Sequence, residues 1–182
     1  MSPSTSLPHV NGFKVSGYDI VPQLVDGLVA SGGAAASSRK EDAQNAELLL
    51  VIVINQHQVT SVLFQDGTAA IHGLPKNAAI IISSTVPGAY FQEVRRRLDT
   101  EIGRPDLLLL DCPVSGGASG AADGILTVFC CGTDDGLTLA SPVLEAIGSK
   151  ICRIQKSNSS NKSEVGVPGH TLTGQSPATT TT

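Results

Sequence analysis

The sequence predicts an α/β fold, a doubly wound parallel sheet with helices on its faces. Three observations carry this expectation. Short, largely apolar runs at 48–54, 78–82, 107–110 and 125–131 are flanked by polar residues or glycine. Such runs fit parallel strands buried on both faces, whereas half-exposed strands would alternate. Between them lie stretches of helical character, and strand–helix alternation marks parallel crossover units. The runs also stop at polar, turn-forming residues, most extensively at Asp111-Cys-Pro-Val-Ser-Gly-Gly-Ala-Ser-Gly-Ala-Ala-Asp-Gly124. In an open α/β sheet the carboxyl edge of the strands is where ligands bind.

Residues 13–19 (Phe-Lys-Val-Ser-Gly-Tyr-Asp) alternate and read as a strand ending in an acid. Pro22 suits the first turn of a helix running to about Ala30, and Ser31-Gly-Gly33 stops it. An extended piece at 34–36 leads to Ser37, read as the N-cap of a helix with Glu41 and Asp42 early. Residues 48–54 give the first long buried strand, and 56–64 the helix after it, ending near Asp66-Gly67. The strand at 78–82 closes on Ser83-Ser-Thr85, and Pro87 opens a helix through Leu98. The run at 107–110 enters the glycine motif, and 125–131 is the following strand. Residues 134–147 are mainly helical, with Pro142 expected at a break or a fresh start. A last strand covers 149–154.

Composition sets the outer limits. At 182 residues there is room for one ordinary domain, taken as 12–155, with a loose polar segment at 1–11. Residues 156–182 are rich in Ser, Thr, Asn and Gly and end in four threonines. Such a segment cannot offset its ordering entropy by burial, so disorder is expected there. A net charge of -4 without a Lys/Arg stripe gives no electrostatic case for nucleic acid. No apolar run approaches membrane-spanning length and the first ten residues lack a signal pattern, so a cytoplasmic location is expected. Cys112, Cys130, Cys131 and Cys152 lack Cys-x-x-Cys spacing, which favours buried free thiols over a zinc site.

The glycine motif holds the first candidate chemistry. Pro113 limits strand continuation, and Gly116-Gly117 lets the backbone approach a ligand without a Cβ in the way. Ser115 adds a hydroxyl, and successive N–H groups can form an anion-binding concavity; a tight turn with no ligand is the competing reading. Asn55 follows one buried strand and Ser83, Ser84 and Thr85 follow another, so three polar strand ends share the expected edge. Capping the following helices is the alternative role for each. Asp19 ends a strand as the ribose-binding acid of a Rossmann unit does, yet no Gly-x-Gly-x-x-Gly loop precedes it. His57 and His72 are isolated and read as surface or cap residues. No Ser/His/Asp order, metal-ligand spacing or strong carboxylate pair is present.

Continued through Ile125-Leu-Thr127, the glycine motif closely resembles the substrate-binding signature of the β-hydroxyacid dehydrogenases. That family includes 3-hydroxyisobutyrate and L-threonate dehydrogenases, tartronate semialdehyde reductase and the 6-phosphogluconate dehydrogenase NAD(P)-binding domain. The resemblance runs from about 12 to 154. It takes in Gly-Phe-Lys-Val-Ser-Gly-Tyr-Asp, the helix after Pro22, Leu-Leu-Leu-Val-Ile-Val-Ile-Asn, Val-Leu-Phe-x-x-Gly and Ser83 to Pro87. What it implies is a Rossmann-like domain and oxidation of a small β-hydroxyacid by hydride transfer to NAD or NADP. It puts Asp19 at the ribose-binding acid, favouring NAD, and Asn55 and Thr85 at cofactor contacts. Ser115, Gly116 and Gly117 fall at the substrate-carboxylate loop. The family pattern also has a first βα unit with a phosphate-binding glycine loop, a helix with a catalytic lysine, and a helical second domain used for oligomerisation. None of these is recognisable here, and neither Lys156 nor Lys162 matches the lysine motif, so no catalytic residue is assigned. The expectation is weak or no catalysis by this chain, with a non-catalytic interaction module or an incomplete gene model as alternatives. Without the first unit, apolar strand edges should be exposed and the chain aggregation-prone unless a partner fills the gap.

Overall fold

The structure, a computed structural model, describes residues 9, 10 and 12–154. The rest of the 1–11 segment, the 156–182 segment and both Lys156 and Lys162 lie outside the described residues. The chain opens with β1 (His9–Val10), antiparallel to β2 (Phe13–Lys14). β3 (Ser16–Gly17) then runs through α1 (Pro22–Ala30) to β4 (Ala34–Ala35), with which it pairs in parallel. The strand expected over 13–19 is therefore two short pieces. α1 starts and stops where Pro22 and Ser31-Gly-Gly33 place it; the amides of Ser31, Gly32 and Gly33 turn back onto carbonyls of Gly27, Leu28 and Val29.

α2 (Arg39–Asp42) is a single turn, and its cap corrects the expectation by one residue. Ser38, not Ser37, is the N-cap: its Oγ accepts from the Glu41 amide at 3.2 Å. Ser37 instead donates its own amide to the Glu41 carboxylate at 2.8 Å. The pair forms a variant of the capping box, in which the acid reaches back past the cap.

The central sheet comprises β5 (Leu48–Val51), β6 (Ala79–Ile82) and β7 (Leu108–Asp111), all parallel and in the order β5-β6-β7. α3 (Gln56–Phe64) follows β5, and α4 (Gly88–Arg96) follows β6 and continues into a π-helical turn at Arg97–Glu101. Side chains alternate along β6, so Ile80 and Ile82 join Val59, Leu63, Phe91 and Val94 in one core cluster. Ala79 and Ile81 belong to a second cluster on the opposite face. All of β6 is buried, as a central parallel strand should be. β5 is not, which corrects the expected burial of 48–54 on both faces. Its only partner among the described residues is β6, and Leu50, Ile52 and Ile54 are 36%, 59% and 85% exposed. Exposure on the face they share grows toward the end of the run, whereas Leu48 at its start packs against the second cluster.

β8 (Val114–Ser115), α5 (Gly117–Ala122), β9 (Leu126–Cys130), α6 (Asp134–Ile147) and β10 (Gly148–Arg153) complete the described chain. β10 lies parallel to β9, whereas β8 is antiparallel to it. A bridge between Asp111 and Cys131 ties this group to β7. Pro142 corrects another expectation, since α6 runs through it without interruption. Proline removes one intrahelical bond, but Leu137, Ala140 and Leu144 anchor the helix in the second cluster on either side of it. Thr133 caps the start, accepting from the Gly136 amide at 3.3 Å, and Asp134 and Asp135 sit in the first turn where the dipole favours them.

Candidate cofactor and substrate edge

The registry of β5, β6 and β7 brings Val51, Ile82 and Asp111 into one row. Everything that follows them in sequence therefore leaves the sheet from the same carboxyl edge. The Ser83 amide donates to the Val51 carbonyl at 2.9 Å, and the Ser84 hydroxyl accepts from the Val53 amide at 2.8 Å. These two bonds extend the seam past the strands and hold the exits close together. Ser83 is buried, and its hydroxyl has no hydrogen-bond partner among the described residues. An unpaired buried hydroxyl costs roughly 1–3 kcal/mol unless something pairs with it.

Asn55 sits at this edge as the N-cap of α3, its carbonyl oxygen accepting from the Gln58 amide at 3.0 Å. That leaves the amide NH2 as a donor on an exposed side chain. Thr85 is exposed two residues beyond Ser83. The exit from β7 takes a different course, turning at Cys112 and Pro113 to run antiparallel to β9 through Ser115. Gly116 then adopts φ +139 and Gly117 φ +65, conformations that favour glycine over any L side chain. A Cβ at Gly116 would stand 2.9 Å from a Leu126 methyl, whereas one at Gly117 would meet open space. Gly117 also begins α5, so the expected glycine turn opens directly into a short helix. Ser115, Gly116 and Gly117 are all exposed.

Asp19 is not joined to this row. It follows β3, and β3–β4 shares no strand pairing with the central sheet among the described residues. One of its carboxylate oxygens accepts from the Val21 amide at 2.8 Å, fixing the entry to α1. His57 and His72 are exposed and lie in the first turn of α3 and in a short 3-10 turn.

Asp111 is the group at this edge that the sequence reading quoted but did not single out. It is 7% exposed, and burial pushes its carboxyl up to about 6. A carboxyl with that pKa exchanges a proton near neutral pH. The signal was available: an acid directly after four leucines sits at the last position of a buried strand.

A family model described as the NAD binding domain of 6-phosphogluconate dehydrogenase matches residues 7–155. The chain belongs to the β-hydroxyacid dehydrogenase family. It corresponds to the NAD-binding domain of that family, with the Rossmann-like architecture described above. L-threonate dehydrogenase of Cupriavidus necator is 35% identical over 143 residues, covering 79% of this chain and 46% of that protein. The Escherichia coli K12 L-threonate dehydrogenase is 37% identical over 144 residues, with the same shares. Among solved structures, 3-hydroxyisobutyrate dehydrogenase from Salmonella typhimurium superposes with a TM-score of 0.70 at 37% identity, covering 79% of this chain and 48% of that one. The chain thus spans about half the length of these relatives.

The donor set suits the nicotinamide half of a dinucleotide. Ser83 supplies a buried hydroxyl awaiting a partner, and Asn55 and Thr85 supply exposed amide and hydroxyl groups. No Gly-x-Gly-x-x-Gly loop occurs in the sequence to cradle a pyrophosphate. No helix of the described residues is long and apolar enough to cross a membrane.

Proposed function

We propose that the common edge of β5, β6 and β7 holds a nicotinamide cofactor, and that Ser115, Gly116 and Gly117 hold the carboxylate of a small β-hydroxyacid. The shared row of Val51, Ile82 and Asp111 carries this reading, because it makes Asn55, Thr85 and the Ser115 loop leave the sheet together. When bound, the cofactor supplies hydride transfer. The chain's own residues bind and orient. Asn55 and Thr85 donate to the nicotinamide side, and the exposed amides of Gly116 and Gly117 with the Ser115 hydroxyl offer donors to a carboxylate. The relatives named L-threonate, 3-hydroxyisobutyrate and NAD-dependent L-serine dehydrogenase share that substrate chemistry, a small carboxylate bearing a hydroxyl.

NAD is the proposed cofactor form, since a carboxylate at Asp19 accepts from ribose hydroxyls and repels a 2′-phosphate. Calorimetric titration with NAD and with NADP tests both parts. Submillimolar NAD binding, roughly tenfold tighter than NADP, is expected, an interval of about 1.4 kcal/mol. Absent or millimolar binding of both rejects a working cofactor site, and equal affinities reject the role of Asp19. A second reading, a non-catalytic interaction module, is supported by the exposed Leu50, Ile52 and Ile54 edge and is favoured if neither cofactor binds.

A further inference from the structure

The segment leaving β7 carries a pair of thiols in a geometry that neither the fold nor the cofactor edge requires. Every pairing between 111–115 and 127–131 keeps one antiparallel register: Asp111 with Cys131, Val114 with Val128, Ser115 with Thr127. That register sets Cys112 directly opposite Cys130. Asp111 and Cys131 exchange two hydrogen bonds of 2.9 Å, and the Phe129 amide donates to the Pro113 carbonyl at 3.0 Å. Cys112 and Cys130 thus form the intervening pair without mutual backbone bonds. Their own backbone groups turn outward, the Cys112 amide to the Ile82 carbonyl and the Cys130 carbonyl to the Ile154 amide, both at 2.8 Å.

A non-hydrogen-bonded antiparallel pair has its Cα atoms about 4.5 Å apart, with both side chains on one face and close together. Disulfides span Cα separations of about 4.4–6.8 Å, so this pair lies at the short end of the range. Both side chains belong to the same buried cluster, and each thiol is the hydrogen-bond partner of the other. Cys130 also lines a cavity of about 230 Å3 between α6 and β10, together with Arg153. The Cys112 thiol and the Arg153 charge lower the pKa of Cys130, while its hydrogen bond to Cys130 and burial raise that of Cys112. Thiolate character and an access route thus fall on the same member of the pair.

We propose that Cys112 and Cys130 are a redox modification site, closing reversibly to a cross-strand disulfide when a small peroxide reaches Cys130 through this cavity. The Cys130 thiolate attacks one peroxide oxygen, breaking the O–O bond, and becomes a sulfenic acid. The other oxygen leaves as hydroxide and takes up the proton that Cys130 lost on ionising, departing as water. The Cys112 sulfur then attacks the Cys130 sulfur and gives up its proton, and the sulfenic oxygen leaves as a second water. Two thiols lose two electrons and two protons, and one peroxide becomes two waters. The site stands independently of cofactor or substrate binding.

The test treats the full chain with hydrogen peroxide, then denatures it and alkylates the remaining thiols. Cleavage before aspartates separates Cys112 from Cys130 at Asp123. Alkylatable thiols should fall from four to two, and the peptide beginning at Asp111 should be linked to that beginning at Asp123 through Cys130. Dithiothreitol should restore all four, and Cys131→Ser should leave the bridge intact. Four thiols after peroxide, a bridge through Cys131 or Cys152, or sulfinic acid on Cys130 with Cys112 still alkylatable would each overturn the proposal. The mapping is read on the unsubstituted chain, so it does not depend on any variant folding.

Discussion

At the scale of single residues, Asp111 shows how a strand end converts burial into chemistry. A carboxyl whose folded pKa is raised favours the protonated native form. Its contribution to stability is therefore greatest below pH 3.8, falls as pH rises to about 6, and stays low above that. The full penalty is about 3 kcal/mol. Asp111→Asn keeps the shape and removes the ionisation, so it should stabilise the chain at pH 7 by roughly 2–3 kcal/mol and leave it little changed at pH 4. Urea denaturation of both proteins at the two pH values checks this; an equal difference at both would refute it. Residue roles were the least legible layer of the sequence. Asn55 announced itself by position, but whether it caps or binds depends on hydrogen bonds, and the structure shows the cap. The Cys112–Cys130 pair was invisible because an opposed pair depends on strand direction, which residue spacing does not encode.

At the scale of elements, boundaries set by punctuation were legible and those set by tertiary packing were not. α1 begins at Pro22 and ends before Ser31-Gly-Gly33, and α3 spans 56–64 as its pattern indicates. Pro142 misled, because a local rule was overruled by the buried anchors of α6. The glycine pair shows the same division. Both residues hold positive φ, but only Gly116 is also crowded, with Leu126 at 2.9 Å from a would-be Cβ. Gly117→Ala should cost about 1 kcal/mol for its left-handed backbone. Gly116→Ala should cost roughly 2 kcal/mol or more, since strain and overlap add. Denaturation midpoints rank the two, and the reverse order would contradict the geometry.

At the scale of the whole molecule, the alternation of apolar runs and helices was enough to read a doubly wound sheet, and the family relationship agrees with it. What alternation cannot convey is which strand stands at an edge, and β5 was read as fully buried for that reason. Leu50 and, just past the end of β5, Ile52 and Ile54 form an exposed apolar margin at its outer edge, the kind of surface that recruits other strands. The chain alone is therefore expected to self-associate with rising concentration, and Ile52→Lys to shift sedimentation toward the monomer. A concentration-independent monomer with a sharp thermal transition would overturn this. The single register running from Asp111–Cys131 to Ser115–Thr127 bears on how such a chain can diversify. Residues gained or lost between Gly116 and Ile125 leave every pairing in that seam untouched, and loop length changes closure entropy only slowly. One residue lost from Pro113 to Ser115 would instead turn each following side chain to the opposite face of the sheet. Length variation among descendants should therefore concentrate between Gly116 and Ile125 and spare the short segment before it, so that this end can be remodelled while the thiols stay opposed.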